Sequence, residues 1–141
     1  MKVNFDIINN YTLSIEGKHL DLQNNFNFVG FEYNIRDRVV KLLWEKTIAD
    51  WVNPNEYSDI VLIHKGVNFL RVIEQDDQSN YEDDSCLGEI SFFPSALRAV
   101  NDSIIPQSKP NDGDDILYFF ENGQLIRIHC TQIVLEINPP L

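Results

Sequence analysis

The sequence contains few of the residues from which compact ligand sites are built. Its 141 residues include two cysteines, six glycines, six prolines and three histidines. So few glycines leave little scope for a glycine-rich phosphate loop, and neither a CxxC nor an HExxH spacing marks a metal site. His19, His64 and His129 stand alone in the chain, so we interpret them as structural histidines. We therefore predict no catalytic residues, no cofactor and no metal.

Long hydrophobic runs are missing as well. No apolar stretch is long enough to span a bilayer, and the polar residues within Met1 to Asp6 interrupt the apolar region that a signal peptide requires. These features predict a cytoplasmic protein, in which Cys86 and Cys130 are reduced, although their number alone permits one disulfide. Cys130 follows apolar residues and is expected to pack as a small hydrophobe.

Basic residues are scarce relative to acidic ones. The chain has 11 Lys and Arg against 22 Asp and Glu, which gives a formal net charge of −11. Such a chain repels nucleic-acid phosphates and anionic membrane surfaces, so neither is an expected partner. A basic protein would complement the charge, although acidity also serves solubility alone.

What the sequence has in quantity is alternation of apolar and polar residues, the period of a half-buried strand. Strands are predicted at 28–35, 40–45, 60–63, 67–73, 87–93, 116–121, 124–130 and 133–137. Residues 1–26 favour short strands with turns at Asn9-Asn10 and Glu16-Gly17, an irregular helix being the alternative. Pro94 to Val100 permits one or two helical turns. We predict a single mainly β domain over residues 1–141, an antiparallel sandwich or partly closed barrel of about eight strands, with α+β as the alternative.

Three connections are predicted to close hairpins. They are the charged residues 36–38, the glycine-ended loop 64–66, and Asn122-Gly123, whose type I′ turn would set Phe119 opposite Ile126. That register would place Tyr118, Arg127 and His129 on one mixed face. In the strand that contains Val40 and Leu42, the alternation predicts a buried Trp44 with Lys41 and Glu45 exposed.

Two acidic segments resemble incomplete cation sites. Residues 74–84 carry six carboxylates and no base, and residues 111–115 carry three carboxylates. Oxygen-rich loops suit Ca²⁺, but residues 74–84 lack the central glycine of an EF-hand loop and residues 111–115 are similarly incomplete, so solvated loops are the favoured interpretation. The acidity of 74–84 also predicts a binding surface, because a cationic partner would relieve its self-repulsion.

Three aromatic residues flank loops instead of filling alternating strand positions. Trp51, Tyr57 and Tyr81 either cap the core or anchor an interface. Together with the acidic segment they define the predicted partner-binding residues: Trp51, Tyr57, Glu74, Asp76, Asp77, Tyr81, Glu82, Asp83 and Asp84.

Three stretches carry a resemblance to a known class of protein. They are Leu42-Leu43-Trp44-Glu45, Val67-Asn68-Phe69-Leu70-Arg71-Val72 before the acidic segment, and Phe120-Glu121-Asn122-Gly123. In these the chain resembles the small acidic bacterial proteins that accompany secreted toxins as immunity partners. The resemblance implies a non-enzymatic protein that neutralises a toxin by binding it through an acidic surface. The alternative is a small enzyme or ligand-binding β-barrel that uses Tyr118, Arg127 and His129 on the mixed face of the 116–130 hairpin.

Overall fold

A computed structural model describes residues 1–47, 59–74 and 86–138 of the chain. Within them the strands are β1 (Lys2–Val3), β2 (Asp6–Ile8), β3 (Thr12–Ile15), β4 (Lys18–Asp21), β5 (Phe26–Asn34), β6 (Val39–Lys46), β7 (Asp59–Lys65), β8 (Phe69–Ile73), β9 (Leu87–Pro94), β10 (Asp114–Phe120), β11 (Leu125–His129) and β12 (Gln132–Ile137). One 3₁₀ turn, Ser95–Leu97, follows β9. The mainly β prediction is therefore confirmed.

The strands form three sheets that are not closed into a barrel. Their orders are β1-β12-β7-β6-β5, β8-β11-β10-β9 and β2-β3-β4. Neighbouring strands run antiparallel, except for β1 beside β12. The five- and four-stranded sheets pack face to face as a sandwich. Trp44 and Phe28 of the first lie against Tyr118 and Phe120 of the second, with ring centroids 6.0 and 4.7 Å apart.

The N-terminal strands and turns follow local sequence signals. Asn9 and Asn10 have φ of 54° and 61°, and Glu16 and Gly17 have φ of 49° and 79°. Asparagine and glycine tolerate this left-handed region, so both predicted turns are confirmed. Leu13 and Leu20, which pair across β3 and β4, are fully buried in the main core.

The β5–β6 hairpin confirms the predicted burial of Trp44. Trp44 is 1% exposed while Lys41 and Glu45 are exposed. On β5 the pairing shifts between Phe28 and Gly30, which marks a β-bulge at Val29. The bulge breaks the simple alternation that the sequence suggested, and leaves Val29 60% exposed.

The predicted hairpin around residues 64–66 is wrong. β7 pairs with β6 and β12, whereas β8 pairs with β11 in the other sheet. His64 accordingly lies within β7 and not in a turn. Gly66 has φ of 65°, and a Cβ there would lie 2.4 Å from Thr131 Oγ1. The glycine therefore serves a tight crossing between sheets, which uses the same backbone freedom as a hairpin.

The 116–130 hairpin is confirmed, but its turn type is wrong. Phe120 N–H donates to Gln124 O at 2.9 Å, and Gly123 N–H donates to Phe120 O at 3.1 Å. Gly123 has φ of 89° whereas Asn122 does not have a positive φ. This is a three-residue loop with glycine in the left-handed position. The pairing moves by one residue, so that Phe119 lies opposite Leu125 and Tyr118 opposite Ile126.

Candidate binding surface

Several strands that bear exposed carboxylates reach one common end of the sandwich. β6 ends and β7 begins there, and Glu45 pairs directly with Asp59. The β7–β8 and β11–β12 crossings lie at the other end, so the end of β8 and the β10–β11 loop are also at this end. We define the acidic end by five exposed residues of these elements: Glu45, Asp59, Glu74, Glu121 and Glu136.

The carboxylates of the acidic end are not neutralised by the described residues. The ion pairs of that part of the chain involve Asp6, Asp102 and Asp115, and none of the acidic-end residues. Glu45 and Asp59 are direct cross-strand neighbours, an arrangement of like charges that destabilises a sheet. Lys46, half-buried, lies next to this pair along β6. The acidic end thus carries a concentration of negative charge at a cost to the fold.

Exposed cations gather at the opposite end. Arg36 and Arg38 lie in the β5–β6 turn, Lys65 ends β7, and Lys2 lies on β1 beside Gln132, which itself pairs with Lys65. Arg38 is anchored there, since its Nε donates to Val67 O at 2.7 Å. We call these four residues the basic end. Surface charge is therefore partly segregated along the strand direction, although Asp37 is an exposed carboxylate within the basic end.

The predicted partner-binding residues fall mostly outside the described residues. Those outside the described ranges are Trp51, Tyr57, Asp76, Asp77, Tyr81, Glu82, Asp83 and Asp84. Glu74 is described, and it is exposed directly after β8. The described residues that flank both segments, at the ends of β6 and β8 and the starts of β7 and β9, all lie at the acidic end.

A buried ion network lies on the outer face of the four-stranded sheet. Arg127 is fully buried, and its Nε donates to Asp115 Oδ2 at 2.7 Å. Its other nitrogens donate to Asp102 Oδ1 at 2.7 Å, Asn101 O at 3.0 Å and Pro94 O at 3.0 Å. Such pairing is what allows a buried charge to be tolerated. The network therefore fixes the segment after β9 onto the sheet.

Two further arginines complete the network. Arg98 donates to both oxygens of Asp115, at 2.9 and 2.6 Å. Arg71, the cross-strand neighbour of Arg127, donates to Asp102, so that this one carboxylate bridges two like charges. Three of the 11 Lys and Arg residues are thereby held away from the acidic end.

Asp114 and Asp115 correct the interpretation of residues 111–115 as a solvated loop. Both are buried at the start of β10. Asp114 Oδ2 accepts hydrogen bonds from Asn111 N–H at 2.8 Å and from Gln107 Nε2 at 2.7 Å. Their carboxylates are therefore used inside the fold. Sequence reasoning missed the Arg127–Asp115 pair, for which the available signal was a lone arginine within an apolar strand.

His64 and Tyr118 form a neutral buried pair between the two larger sheets. His64 Nδ1 lies 3.0 Å from Val40 O, and Nε2 lies 2.8 Å from the Tyr118 hydroxyl. Because a carbonyl only accepts, Nδ1 carries the proton, and the Tyr118 hydroxyl donates to Nε2. Burial lowers the pKa of His64 to about 4 and raises the pKa of Tyr118 well above its usual value. Burial also raises the pKa of the Cys130 thiol to about 12.

The residues of the alternative site are not brought together. Tyr118 faces the core, whereas Arg127 faces outward from the neighbouring strand, because the pairing is Tyr118 with Ile126 and Leu117 with Arg127. His129 Nδ1 lies 2.7 Å from Asn68 Oδ1, next to the start of β8. Two surface pockets of about 300 and 430 Å³ are lined by other residues. The predicted mixed face is therefore wrong.

The described ranges contain neither a cluster of metal-ligating side chains nor a membrane-spanning helix. Across 1–47, 59–74 and 86–138, no three His, Cys, Asp or Glu side chains come together as a metal site would require. In the same ranges, no helix has the length and apolar character needed to cross a membrane.

Comparison of the sequence with protein-family models found no match. Comparisons with curated proteins and with solved structures found no significant similarity. The resemblance to immunity proteins therefore stays a prediction, and function is inferred from charge and geometry.

Proposed function

We propose that this chain is a non-enzymatic binding protein whose acidic end binds a basic protein. The observation that carries the proposal is the Glu45–Asp59 pair, in which two exposed carboxylates lie directly opposite each other without an ion-pair partner among the described residues. A fold that needed only stability would gain by replacing either residue. The repulsion between like charges of this kind is relieved when a cationic partner binds.

The surroundings of that pair support the same function. Glu74, Glu121 and Glu136 add to the negative potential, and the flanks of the segments that carry Trp51, Tyr57 and Tyr81 lie at the same end. Aromatic anchors beside complementary charges are typical of protein interfaces. An immunity protein that occupies a secreted toxin in the cytoplasm of the producing cell is the specific form that we propose.

Glu45 and Glu32 offer a matched pair of variants for testing this function. Both are exposed glutamates of the β5–β6 hairpin, but Glu45 lies opposite Asp59 whereas Glu32 lies opposite Lys41. Glu45→Gln should stabilise the fold by about 0.2–1 kcal/mol and slow partner association at low salt by at least about threefold. Glu32→Gln removes the same charge and should leave the association rate near that of the wild type.

The measurement is capture of the partner from the native host, followed by association rates at two salt concentrations. The difference between the variants should shrink at high salt, because salt screens exposed charges. Neutralising Asp76, Asp77, Glu82, Asp83 and Asp84 together should slow association further with little change in stability. The proposal would be overturned by a captured partner that binds both the Glu45→Gln variant and the variant with five neutralised carboxylates as fast as it binds the wild type.

A further inference from the structure

β5 forms the longest open strand edge of the described residues. It is nine residues long, and no described residue hydrogen-bonds to its outward side along Gly30 to Asn34. Other edges are shorter than β5 or partly covered: β1 has two residues, β8 has five, and the edge of β9 is occupied where Ile90 N–H donates to Asn10 O at 2.6 Å. An open edge offers unpaired backbone groups to another strand.

The exposed side chains of this edge are largely apolar. Val29, Phe31 and Ile35 are 60%, 38% and 70% exposed, and they account for three of the seven exposed large hydrophobic residues in the described ranges. Glu32 is the one charged residue within β5, and it lies opposite Lys41 of β6. The lysines and prolines that commonly block edge pairing are absent from β5. The bulge at Val29 limits the regular edge to Gly30–Asn34.

Charge favours a second copy of this chain on that edge. The basic end lies at the C-terminal end of β5, where Arg36 is exposed, and Glu45 lies beside the N-terminal end, opposite Asn27. Antiparallel pairing about a two-fold axis brings Arg36 of each copy toward Glu45 of the other. Opposite charges therefore meet at the two ends of this edge, whereas Glu32 of each copy lies near the two-fold axis, beside Lys41 of its own β6.

We propose that β5 pairs antiparallel with β5 of a second copy, which joins two five-stranded sheets into one continuous sheet. Backbone hydrogen bonds would supply affinity, and Val29, Phe31 and Ile35 would supply apolar contact. A pairing of so few residues lies at the small end of specific interfaces, so the dimer should be weak and concentration-dependent. This interface does not require a toxin partner, although it shares Glu45 with the acidic end; Ile35→Lys tests it without changing any residue of that end.

Sedimentation velocity of the full chain, from about 5 to about 200 µM, tests the proposal. The wild type should shift toward twice the mass of one chain. Ile35→Lys should raise the dimer dissociation constant by at least about tenfold, because a two-fold interface contains the substitution twice. Val100→Lys, at a residue 74% exposed in the segment after β9, makes the same chemical change elsewhere and should have no effect.

A second pair of variants tests the charge arrangement. Arg36→Glu should weaken the dimer, whereas Lys18→Glu, in an exposed position on β4, changes the net charge equally and should weaken it much less. Amide hydrogen exchange should show concentration-dependent protection within residues 30–34. A monomer at all concentrations, or a dimer that Ile35→Lys and Arg36→Glu leave intact, would overturn the proposal.

Discussion

Acid should destabilise this protein through His64. Its folded-state pKa is lowered from 6.5 to about 4 by burial. Between these values the unfolded chain binds a proton that the folded chain does not, so the free energy of unfolding falls as the pH drops from about 6.5 to about 4. It is unaffected by His64 above that window and levels off below it. A shift of this size corresponds to about 3 kcal/mol, at about 1.4 kcal/mol for each pKa unit.

His64→Gln isolates this contribution. A glutamine side chain can donate to Val40 O and accept from the Tyr118 hydroxyl, but it does not titrate. At pH 7 we expect the variant to be less stable than the wild type by about 1–2 kcal/mol, since the geometry of both hydrogen bonds is altered. Near pH 4 that difference should vanish or reverse, because only the wild type has lost the contribution of His64.

Urea unfolding followed by far-UV circular dichroism, in steps between pH 7.5 and pH 4, measures the effect. Differences between the two proteins cancel the titration of carboxylates that both share. His19→Gln, at an exposed position on β4, is the control for removing a histidine as such. If the stability difference between wild type and His64→Gln is the same at pH 4.5 as at pH 7, the reasoning about the buried neutral pair is refuted.

Three further outcomes follow from the buried residues. Trp44→Ala should lower the free energy of unfolding by about 3–5 kcal/mol, whereas Glu45→Ala, which removes repulsion with Asp59, should not lower it; a small loss for Trp44→Ala would contradict its place in the core. Asp115→Ala should cost about 3–5 kcal/mol in urea unfolding, because it leaves Arg127 buried without its main partner; Asp6→Ala, which breaks the exposed pair with Lys109, should cost below about 1 kcal/mol. The Cys130 thiol should react with Ellman's reagent only after unfolding, because it is buried and its pKa is raised to about 12; rapid labelling of Cys130 in native buffer, with Cys130→Ser as the reference, would disprove this.

Local signals explain most of what the sequence predicted correctly. Alternation in β6 placed Trp44 inside, and the pairs Asn9-Asn10 and Glu16-Gly17 marked turns, because in each case the residues themselves carry the preference. Sheet membership is different. Gly66 indicated a sharp change of direction, but a hairpin and a sheet crossing need the same backbone conformation. The choice between them depends on β11 and β12, which lie about sixty residues later in the chain.

The candidate site was only partly predictable for a related reason. The acidity of the whole chain is visible in the composition. The position of Glu45 directly opposite Asp59 depends on the register of β6 with β7. The burial of Arg127 beside Asp115 depends in turn on the β10–β11 register. Asn122-Gly123 fits both a two-residue and a three-residue loop, and the difference of one residue separates Tyr118 from Arg127. The three-residue loop is the one present, and packing outside the hairpin decides between the two.

Distance shows why the two charged ends cannot neutralise each other. β7 runs from Asp59 at the acidic end to Lys65 at the basic end, which is about 20 Å at about 3.3 Å per residue. At physiological ionic strength charges are screened over about 8 Å, so the cations of one end contribute little at the other. The arginines of β8 and β11, which lie between the ends, are already paired with Asp102 and Asp115. Negative potential at the acidic end therefore follows from the strand arrangement, and this is the physical basis on which we propose a cationic partner.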